Sequence, residues 1–277
     1  MKVIDLQQIL ESKSWVGLGI AGNQAGHLQQ AGEAQDFVKV HVAENAPKGM
    51  FPWYVSDADS FLSQNPLSSS EVKLAGKTKV QAEPEIALLV EFQYATEGEA
   101  LLSGMEVVGF TVLNDLSNRI DAPKISVKKN WGECSQGLCS KALSLSDYLS
   151  PESEMNQWYL GCYLQRDGEM IEYGQRTSVA EYCYKNAQLV DWMTQQLNTQ
   201  QDLGPLENLS DKLRAHKPKY GIIGIGATCY TEYGMGAQRF LREGDTIIVV
   251  ATPDDRSLTP TALDSPDVLV LSQSVTS

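Results

Sequence analysis

Two apolar runs with acidic residues at their ends constrain the fold of this chain more than any other feature. The first occupies residues 86–90, directly after Glu83-Pro84-Glu85, in a predicted strand over 86–92. The second occupies residues 109–113, directly before Asn114-Asp115, in a predicted strand over 106–113. Short apolar runs rich in branched side chains predict two buried strands. Because proline belongs at the start or edge of a strand, Pro84 places both glutamates at the mouth of the first strand.

The carboxylates of Glu83, Glu85 and Asp115 form a candidate metal site. Side chains two apart on a strand face the same way, so Glu83 and Glu85 point together, and Asp115 follows the end of the second strand. If the strands are neighbours, the three carboxylates repel one another unless a cation or a shared proton neutralises them. Mg²⁺ uses such oxygen ligands. The simpler alternative stays open, because Glu-x-Glu is common on solvated strands and Asn-Asp is common in turns.

Length and charge bound the function. A chain of 277 residues is long enough for one large domain or two ordinary ones. The formal net charge is −13, from 35 acidic and 22 basic residues, and this surface repels phosphate backbones. We therefore expect no nucleic-acid partner. An anionic substrate needs a metal or a local positive charge to approach.

The cysteines and the hydropathy indicate a cellular location. The five cysteines form no Cys-x-x-Cys motif, which indicates free thiols in a reducing compartment. The N-terminus lacks the apolar core of a signal peptide. Because no apolar run reaches the roughly twenty residues that cross a bilayer, we expect a cytoplasmic protein without a membrane partner.

Many short strands with few helices predict a mainly β architecture with some α structure, an α+β fold. Ser178 and Glu181 resemble a helix capping box. The predicted elements are a helix over 4–12, a loop-rich stretch over 45–80, irregular structure over 120–155, a hairpin that begins near 158–164 and turns at Asp167-Gly168, a helix over 178–200, strands over 220–226 and 245–251, and a loose tail after 252.

A glycine motif near the N-terminus suggests a different function. Residues 17–22, Gly-Leu-Gly-Ile-Ala-Gly, match the G-x-G-x-x-G pattern of dinucleotide-binding proteins. That function requires a strand before the glycines and a packed helix after them, and both neighbouring segments are weakly apolar. We favour a glycine-rich segment that lets the backbone pass close to another group, and keep a nucleotide-binding oxidoreductase as an alternative.

His27 is the candidate general acid or base among the three histidines. It follows a glycine-rich loop at a predicted helix start. At such a position the surroundings can adjust how readily an imidazole takes up and releases a proton, which suits a general acid or base. The alternative is a cap or surface residue. His41 alternates with valines in a predicted strand, and His216 lies among Lys and Arg.

The motifs occur together in an order that is typical of one family. A Gly-rich segment with Asn and His precedes Glu-x-Glu, then Gly-Phe-Thr-x-x-Asn-Asp-x-Ser-x-Arg, then Asp-Gly-Glu in a hairpin and Phe-Leu-x-x-Gly-Asp over 240–245. Over roughly residues 15–251 the chain resembles the fumarylacetoacetate hydrolase family, which includes 2-oxo acid decarboxylases, hydrolases and isomerases. The resemblance implies a mixed β-sandwich roll and a single domain over 1–277, with 1–75 as an N-terminal lid or loop region and 252–277 as a tail.

The resemblance also implies site residues. It makes Glu83, Glu85 and Asp115 the ligands of a divalent metal, with Mg²⁺ expected and Mn²⁺ or Ca²⁺ as alternatives. The implied catalytic residues are His27 and Lys141, with Lys128 and Lys129 competing for the lysine role. The implied substrate-binding residues are Arg119 and Thr228.

Several positions depart from the family pattern. Gln30 replaces a family glutamate, for which Glu33 is a candidate stand-in, and Ala122 replaces a glutamine. A family lysine near Phe51-Pro52-Trp53 is absent, and Gly226-Ala227-Thr228 replaces Gly-Thr-Pro. We therefore expect an altered substrate or a lost activity.

The expected function is that of a metal-dependent hydrolase or lyase. It acts on a C–C bond, or on the keto–enol equilibrium, of a small 2-oxo or β-diketo acid. The alternative is a non-catalytic metabolite- or metal-binding relative on the same scaffold. The expected partner is a small anionic substrate, and the family resemblance implies a second copy of the chain in a homodimer.

Overall fold

A computed structural model describes residues 1–56, 59–255, 265 and 267–277. Its sixteen strands are β1 (Val3–Ile4), β2 (Trp15–Ala21), β3 (Gly49–Val55), β4 (Leu67–Ser68), β5 (Glu71–Lys73), β6 (Val80–Gln81), β7 (Pro84–Tyr94), β8 (Leu102–Asn114), β9 (Ser117–Asn118), β10 (Gln136–Leu138), β11 (Ala142–Ser144), β12 (Tyr159–Arg166), β13 (Glu169–Ser178), β14 (Tyr220–Gly224), β15 (Thr246–Thr252) and β16 (Leu269–Thr276).

The helices of the described residues are short, apart from one. They are α1 (Leu6–Glu11), α2 (His27–Gln30), α3 (Ile125–Lys129), α4 (Asn186–Thr199), α5 (Leu209–His216) and α6 (Glu232–Met235). Single 3₁₀ turns occupy Ala34–Phe37, Phe61–Ser63, Glu154–Gln157 and Val179–Glu181. Within the described ranges, none of these helices is long and apolar enough to cross a membrane.

Two large sheets and one small one organise the strands. The first has nine strands, in the order β1-β11-β8-β7-β14-β2-β3, with β10 and β4 branching from β8. The second has five strands in the order β13-β12-β15-β16-β5, and β6 pairs with β9. Most pairs are antiparallel, but β14 runs parallel to β2, β16 parallel to β5 and β10 parallel to β4. This mixed, mainly β architecture with short helices confirms the predicted fold class.

Strand β7 is apolar throughout because both of its faces are covered. Ile86, Leu88 and Val90 pack into a core shared with the second sheet, whereas Ala87 and Leu89 pack on the opposite face with aromatic side chains of β2 and β3. This alternation is the two-residue period of a strand. Since Glu85 has the same parity as Ala87, its carboxylate points to the aromatic side of the sheet.

The glycine motif lies in a strand rather than in a phosphate-binding turn. Gly17 and Gly19 belong to β2, and a Cβ atom at either position would overlap the ring of Trp53 or Phe51 respectively. The glycines therefore allow the rings of β3 to lie directly on the backbone of β2. The close-approach interpretation is thus supported, and the strand–turn–helix context of a dinucleotide site is not present at these residues.

The structure corrects several predicted elements. The sequence predicts a loop-rich stretch over 45–80, but residues 49–55 form the buried strand β3. The resemblance implies a lid or loop region over 1–75, but strands β2 and β3 of this region belong to the first sheet. The tail over 252–277 contains β16 of the second sheet, while its residues 256–264 and 266 lie outside the described residues. His41 lies in an exposed loop, not in a strand.

The long helix begins later than the sequence indicates. Ser178 does cap a turn, accepting a hydrogen bond from the Ala180 amide, but that turn is the 3₁₀ helix that ends at Glu181. The chain then bends at Cys183 and Tyr184 before α4, which begins at Asn186. The predicted hairpin is confirmed as β12 and β13, which pair in register around Asp167-Gly168. The two strands of the opening motif are confirmed as β7 and β8, each longer than predicted.

Candidate metal centre

Antiparallel pairing of β7 with β8 brings the three acidic residues together. Pro84 faces Asn114 in the register, so β7 begins where β8 ends. The Asp115 amide donates to the Glu83 carbonyl at 2.8 Å, and the Glu83 amide donates to Asn114 Oδ1 at 3.2 Å. These two hydrogen bonds join Glu83, just before β7, to the residues at the end of β8, so that Glu83 and Asp115 lie side by side.

Glu83, Glu85 and Asp115 form one buried acidic cluster. Each offers a carboxylate oxygen, and the three oxygens lie within 4.8 Å of one another. Their side chains are almost fully removed from solvent, and Asp115 is completely buried. Buried carboxylates this close need cations or protons, so the convergence predicted from the sequence is present and requires neutralisation.

Two basic side chains supply part of that neutralisation. The Lys129 ammonium lies 2.6 Å from Glu83 Oε2 and 2.7 Å from Asp115 Oδ2. The Arg119 guanidinium pairs with Glu83 Oε1 through Nη2, which also donates to the Tyr230 hydroxyl at 2.8 Å. Formally, three negative charges face two positive charges, and the cluster keeps an excess negative charge.

The pKa values show how that excess is distributed. Burial acts to raise the pKa of Glu83, but Arg119 and Lys129 outweigh it, and the pKa lies well below its ordinary value. Burial, and then the charge of Asp115, hold the pKa of Glu85 well above its ordinary value. Burial raises the pKa of Asp115 to about 6 despite the opposing charge of Lys129. The neighbouring cations thus favour the ionised form of Glu83, whereas burial disfavours the ionised forms of Glu85 and Asp115.

The donor set suits a hard divalent cation. Asp115 Oδ1 is buried and accepts no hydrogen bond from any described residue, and Oδ2 contacts only Lys129. Glu85 Oε2 accepts the Gly226 amide at 3.0 Å, which orients its carboxylate. A Cβ atom on Gly224 would overlap Glu85 Oε2, so this glycine provides the space that the carboxylate occupies. Three carboxylates with an unpartnered oxygen match the all-oxygen ligands of Mg²⁺.

His27 lies at the edge of the cluster, at the start of α2. Its Nε2 is 3.5 Å from Glu83 Oε1, and its Nδ1 is 2.9 Å from the Thr228 carbonyl oxygen. Because a carbonyl oxygen only accepts, Nδ1 carries the proton of the neutral ring, and Nε2 is left as the basic nitrogen. The positive φ of Gly26 turns the chain into the helix and directs the imidazole inwards.

A narrow pocket opens onto these groups. Its cavity has a volume of about 20 Å³ and is lined by His27, Glu83, Glu85, Lys129 and Phe51, among others. A polar cavity of this size has room for about one water molecule or an ion. Its wall combines cations, carboxylates and an aromatic ring.

The structure brings most of the predicted site residues together, but not Lys141. The Lys141 ammonium donates to the Val268 carbonyl at 3.2 Å, whereas Lys129 supplies the lysine of the cluster. Lys128, the other competitor, pairs with Asp36 at 2.9 Å and with Glu33 at 3.3 Å. The family resemblance makes Lys141 the first choice and Lys128 and Lys129 its competitors, but in the structure it is Lys129 that contacts the acids.

Thr228 and Tyr230 lie near His27. Thr228 Oγ1 is buried, has no hydrogen-bond partner among the described residues and lies beside Gly174, and Thr228 is not among the residues that line the pocket. Tyr230 was not predicted. Its hydroxyl lies 3.5 Å from Glu83 Oε1, and its ring centroid lies 5.4 Å from that of His27. A lone tyrosine two residues after Thr228 gives no sequence signal, because only the fold places it beside the acids.

The two positions that depart from the family near His27 have other partners. Gln30 Oε1 accepts the Tyr230 amide at 2.7 Å. Glu33, the candidate stand-in, pairs with Arg119 at 2.9 Å. Neither side chain has a contact with the His27 ring among the described interactions. The imidazole is therefore held between the Thr228 carbonyl and the Glu83 carboxylate, and not by a carboxylate from α2 or the turn after it.

Solved structures with a similar fold share low sequence identity with this chain. One is 2-keto-3-deoxy-D-arabinonate dehydratase complexed with magnesium and 2,5-dioxopentanoate, with a TM-score of 0.54, 13% identity and coverage of 99% of this chain and 82% of that chain. Another is a candidate fumarylacetoacetate isomerase/hydrolase from Oleispira antarctica, with a TM-score of 0.52, 17% identity and coverage of 94% and 93%. A candidate HpcE protein from Mycobacterium smegmatis has a TM-score of 0.55, 17% identity and coverage of 94% and 74%.

These likenesses establish the fold, which is similar to that of fumarylacetoacetate hydrolase-like proteins. No curated protein matches the chain. A family model described as "Family of unknown function (DUF5718)" matches residues 33–262, which include the acidic cluster, Arg119 and Lys129 but not His27. Since the match covers more than half of the sequence, the chain belongs to the DUF5718 family.

Proposed function

We propose that the protein is a metal-dependent hydrolase or lyase of a small 2-oxo or β-diketo acid, cleaving a C–C bond or shifting a keto–enol equilibrium. The buried cluster of Glu83, Glu85 and Asp115, open to a pocket that also holds a basic histidine, carries this proposal. The similar fold of a magnesium-bound dehydratase supports it.

The acidic cluster would hold the metal, with Mg²⁺ as the best match to its oxygen ligands. A divalent cation bound there supplies Lewis acidity, which stabilises negative charge on the oxygens of a 2-oxo acid. Arg119 fixes the carboxylate of Glu83 through its guanidinium, and the Gly226 amide fixes that of Glu85. These contacts orient the ligands before any substrate arrives.

His27 would move the proton. Since its Nδ1 is held by the Thr228 carbonyl, its Nε2 can accept a proton from a water molecule or from substrate carbon in the pocket. The ammonium of Lys129, which lines the pocket, would bind a polar group of an anionic substrate. The aromatic ring of Phe51 covers one side of the pocket and excludes water.

Pyruvate release from acylpyruvates and oxaloacetate with Mg²⁺ tests the proposal. We expect turnover by the wild type and a loss of at least about a hundredfold in Glu83→Gln, because that change removes a ligand charge. Glu91→Gln is the matched control. Glu91 lies in β7, at the end of its pairing with β14 that is farther from the acidic cluster, and it pairs with Lys219 at the surface. Equal rates in Glu83→Gln and the wild type would contradict the proposal.

A non-catalytic metabolite- or metal-binding protein is the second candidate. The contact of Gln30 with the Tyr230 amide favours it, because no carboxylate supports His27 from that position. This candidate predicts that Mg²⁺ and oxalate bind while no 2-oxo acid in the panel is turned over. Turnover that is lost in His27→Gln, with metal binding retained, excludes it.

A further inference from the structure

The ammonium of Lys129 occupies a cation position inside the acidic cluster. It lies 2.6 Å from Glu83 Oε2 and 2.7 Å from Asp115 Oδ2, and it donates to the Asp115 carbonyl at 2.9 Å. Its side chain is only 3% exposed. Two of the three carboxylates that match a divalent cation are thus already in contact with a positive charge.

The backbone of Lys129 is firmly held, so this contact is built into the fold. Lys129 ends α3, and its carbonyl accepts the Gln136 side-chain amide at 2.7 Å. The next residue, Asn130, donates to the carbonyls of Trp53 and Gln64, at 2.9 Å each. A lysine with a fixed backbone and a buried stem keeps its ammonium within a small volume.

The charges make a metal and this ammonium competitors. Three carboxylates against Lys129 and Arg119 leave a formal charge of −1 on the metal-free cluster. A divalent cation would change that charge to +1, and unbalanced charge in a buried site is unfavourable. A ligand with one negative charge would restore neutrality and give the ammonium a new partner.

We propose that Lys129 is a resident counter-cation that competes with the divalent metal for Glu83 and Asp115, so that an anionic ligand is required for tight metal binding. The inference rests on the proposed function, since it assumes the metal site. It adds a regulatory property to that site: the protein without substrate binds metal weakly, and the metal and the anion bind cooperatively.

Calorimetric titration with Mn²⁺ in the absence of substrate tests the inference on the full chain. We expect Lys129→Met to bind Mn²⁺ at least tenfold more tightly than the wild type, although the metal-free variant melts at a lower temperature. Oxalate should tighten Mn²⁺ binding less in this variant than in the wild type. Lys128→Met is the matched control, because its ammonium pairs with Glu33 and Asp36, and it should change the Kd less than threefold.

Two further variants keep the result interpretable. Lys129→Arg retains the charge and should not tighten Mn²⁺ binding, whereas Lys129→Gln removes the charge and should behave like Lys129→Met. Weaker or unchanged Mn²⁺ binding in the neutral variants would overturn the inference, as would their failure to fold both with and without Mn²⁺. If neither the wild type nor the neutral variants bind Mn²⁺, the metal site of the proposed function is contradicted as well. Equal binding by all of them contradicts only the role of Lys129.

Discussion

Asp115 determines how the cluster responds to pH. Burial raises its pKa to about 6, from an ordinary value of 3.8. A raised pKa means that the folded protein favours the protonated acid. The contribution of Asp115 to stability is therefore fully present below pH 3.8 and is lost as the pH rises through about 6. A metal requires the carboxylate, so proton and metal compete for this residue.

The competition predicts a pH-dependent stabilisation by metal. We expect the rise in melting temperature caused by Mg²⁺ to be larger at about pH 7.5 than at about pH 5, because Asp115 is mostly protonated at the lower pH. Differential scanning fluorimetry with and without Mg²⁺ measures it. Asp115→Asn should abolish the rise at both pH values, and Asp191→Asn, an exposed position on α4, should retain it. A rise of the same size at both pH values would contradict the argument.

Lys129 shows what a residue's neighbours in sequence cannot reveal. Among the lysines after Asp115, the family resemblance leaves three candidates for the site, namely Lys128, Lys129 and Lys141. The outcome depends on α3, a single turn whose end is anchored by Asn130. One turn has no helical periodicity to detect, so the acids could be predicted from local pattern, while the lysine required the folded chain.

At the scale of elements, β14 shapes the pocket side of the cluster. It pairs with β7 so that Gly224 faces Ala87, and a Cβ atom on Gly224 would overlap the Glu85 carboxylate. We expect Gly224→Ala to displace this carboxylate, to lower the free energy of unfolding by about 1–3 kcal/mol and to remove the Mg²⁺-induced rise in melting temperature. Chemical denaturation and fluorimetry measure the two effects.

Gly104→Ala is the control for this substitution. It also lies in a strand of the first sheet, but the Cβ atom would meet only the end of the Gln93 side chain, at 3.1 Å. That side chain can rotate away, and alanine restricts the unfolded chain, so stability should change by less than about 1 kcal/mol. If the two variants respond to Mg²⁺ alike, Gly224 has no special relation to Glu85.

The elements that the sequence predicted correctly share a simple pattern. Strands β7, β8 and β15 are continuous apolar runs, and the β12–β13 hairpin turns at Asp-Gly, so local composition is sufficient. Strand β3 was missed because Pro52 lies in its middle, and a proline there argues against a strand. It lies at the edge of the first sheet, where a proline is tolerated, and its rings pack on glycines of β2. Its structure thus depends on a partner strand that local composition does not reveal.

At the scale of the whole molecule, a side chain of β16 connects the second sheet with the acidic cluster. Gln273 Oε1 accepts from Asn114 Nδ2 at 3.0 Å, and Gln273 Nε2 donates to the Glu71 carbonyl at 2.9 Å. Asn114 in turn holds the amide of Glu83. The geometry at the end of β7 therefore depends on a strand almost two hundred residues away in the chain, which explains why the composition of the tail gave no hint of its role.

Deletion of residues 269–277 tests this dependence. The deletion removes β16, whose Leu269, Leu271 and Val275 are buried, and exposes the neighbouring strand β15. Each buried aliphatic side chain contributes roughly 1.5–3 kcal/mol, so the total loss is comparable to the stability of a typical domain, about 5–15 kcal/mol. We expect no cooperative thermal transition by circular dichroism. Removal of the exposed Ser277 alone should leave the transition unchanged, and Gln273→Ala should retain the fold but lower its stability by about 1–3 kcal/mol. A truncated chain that melts like the full one would show that β16 is dispensable.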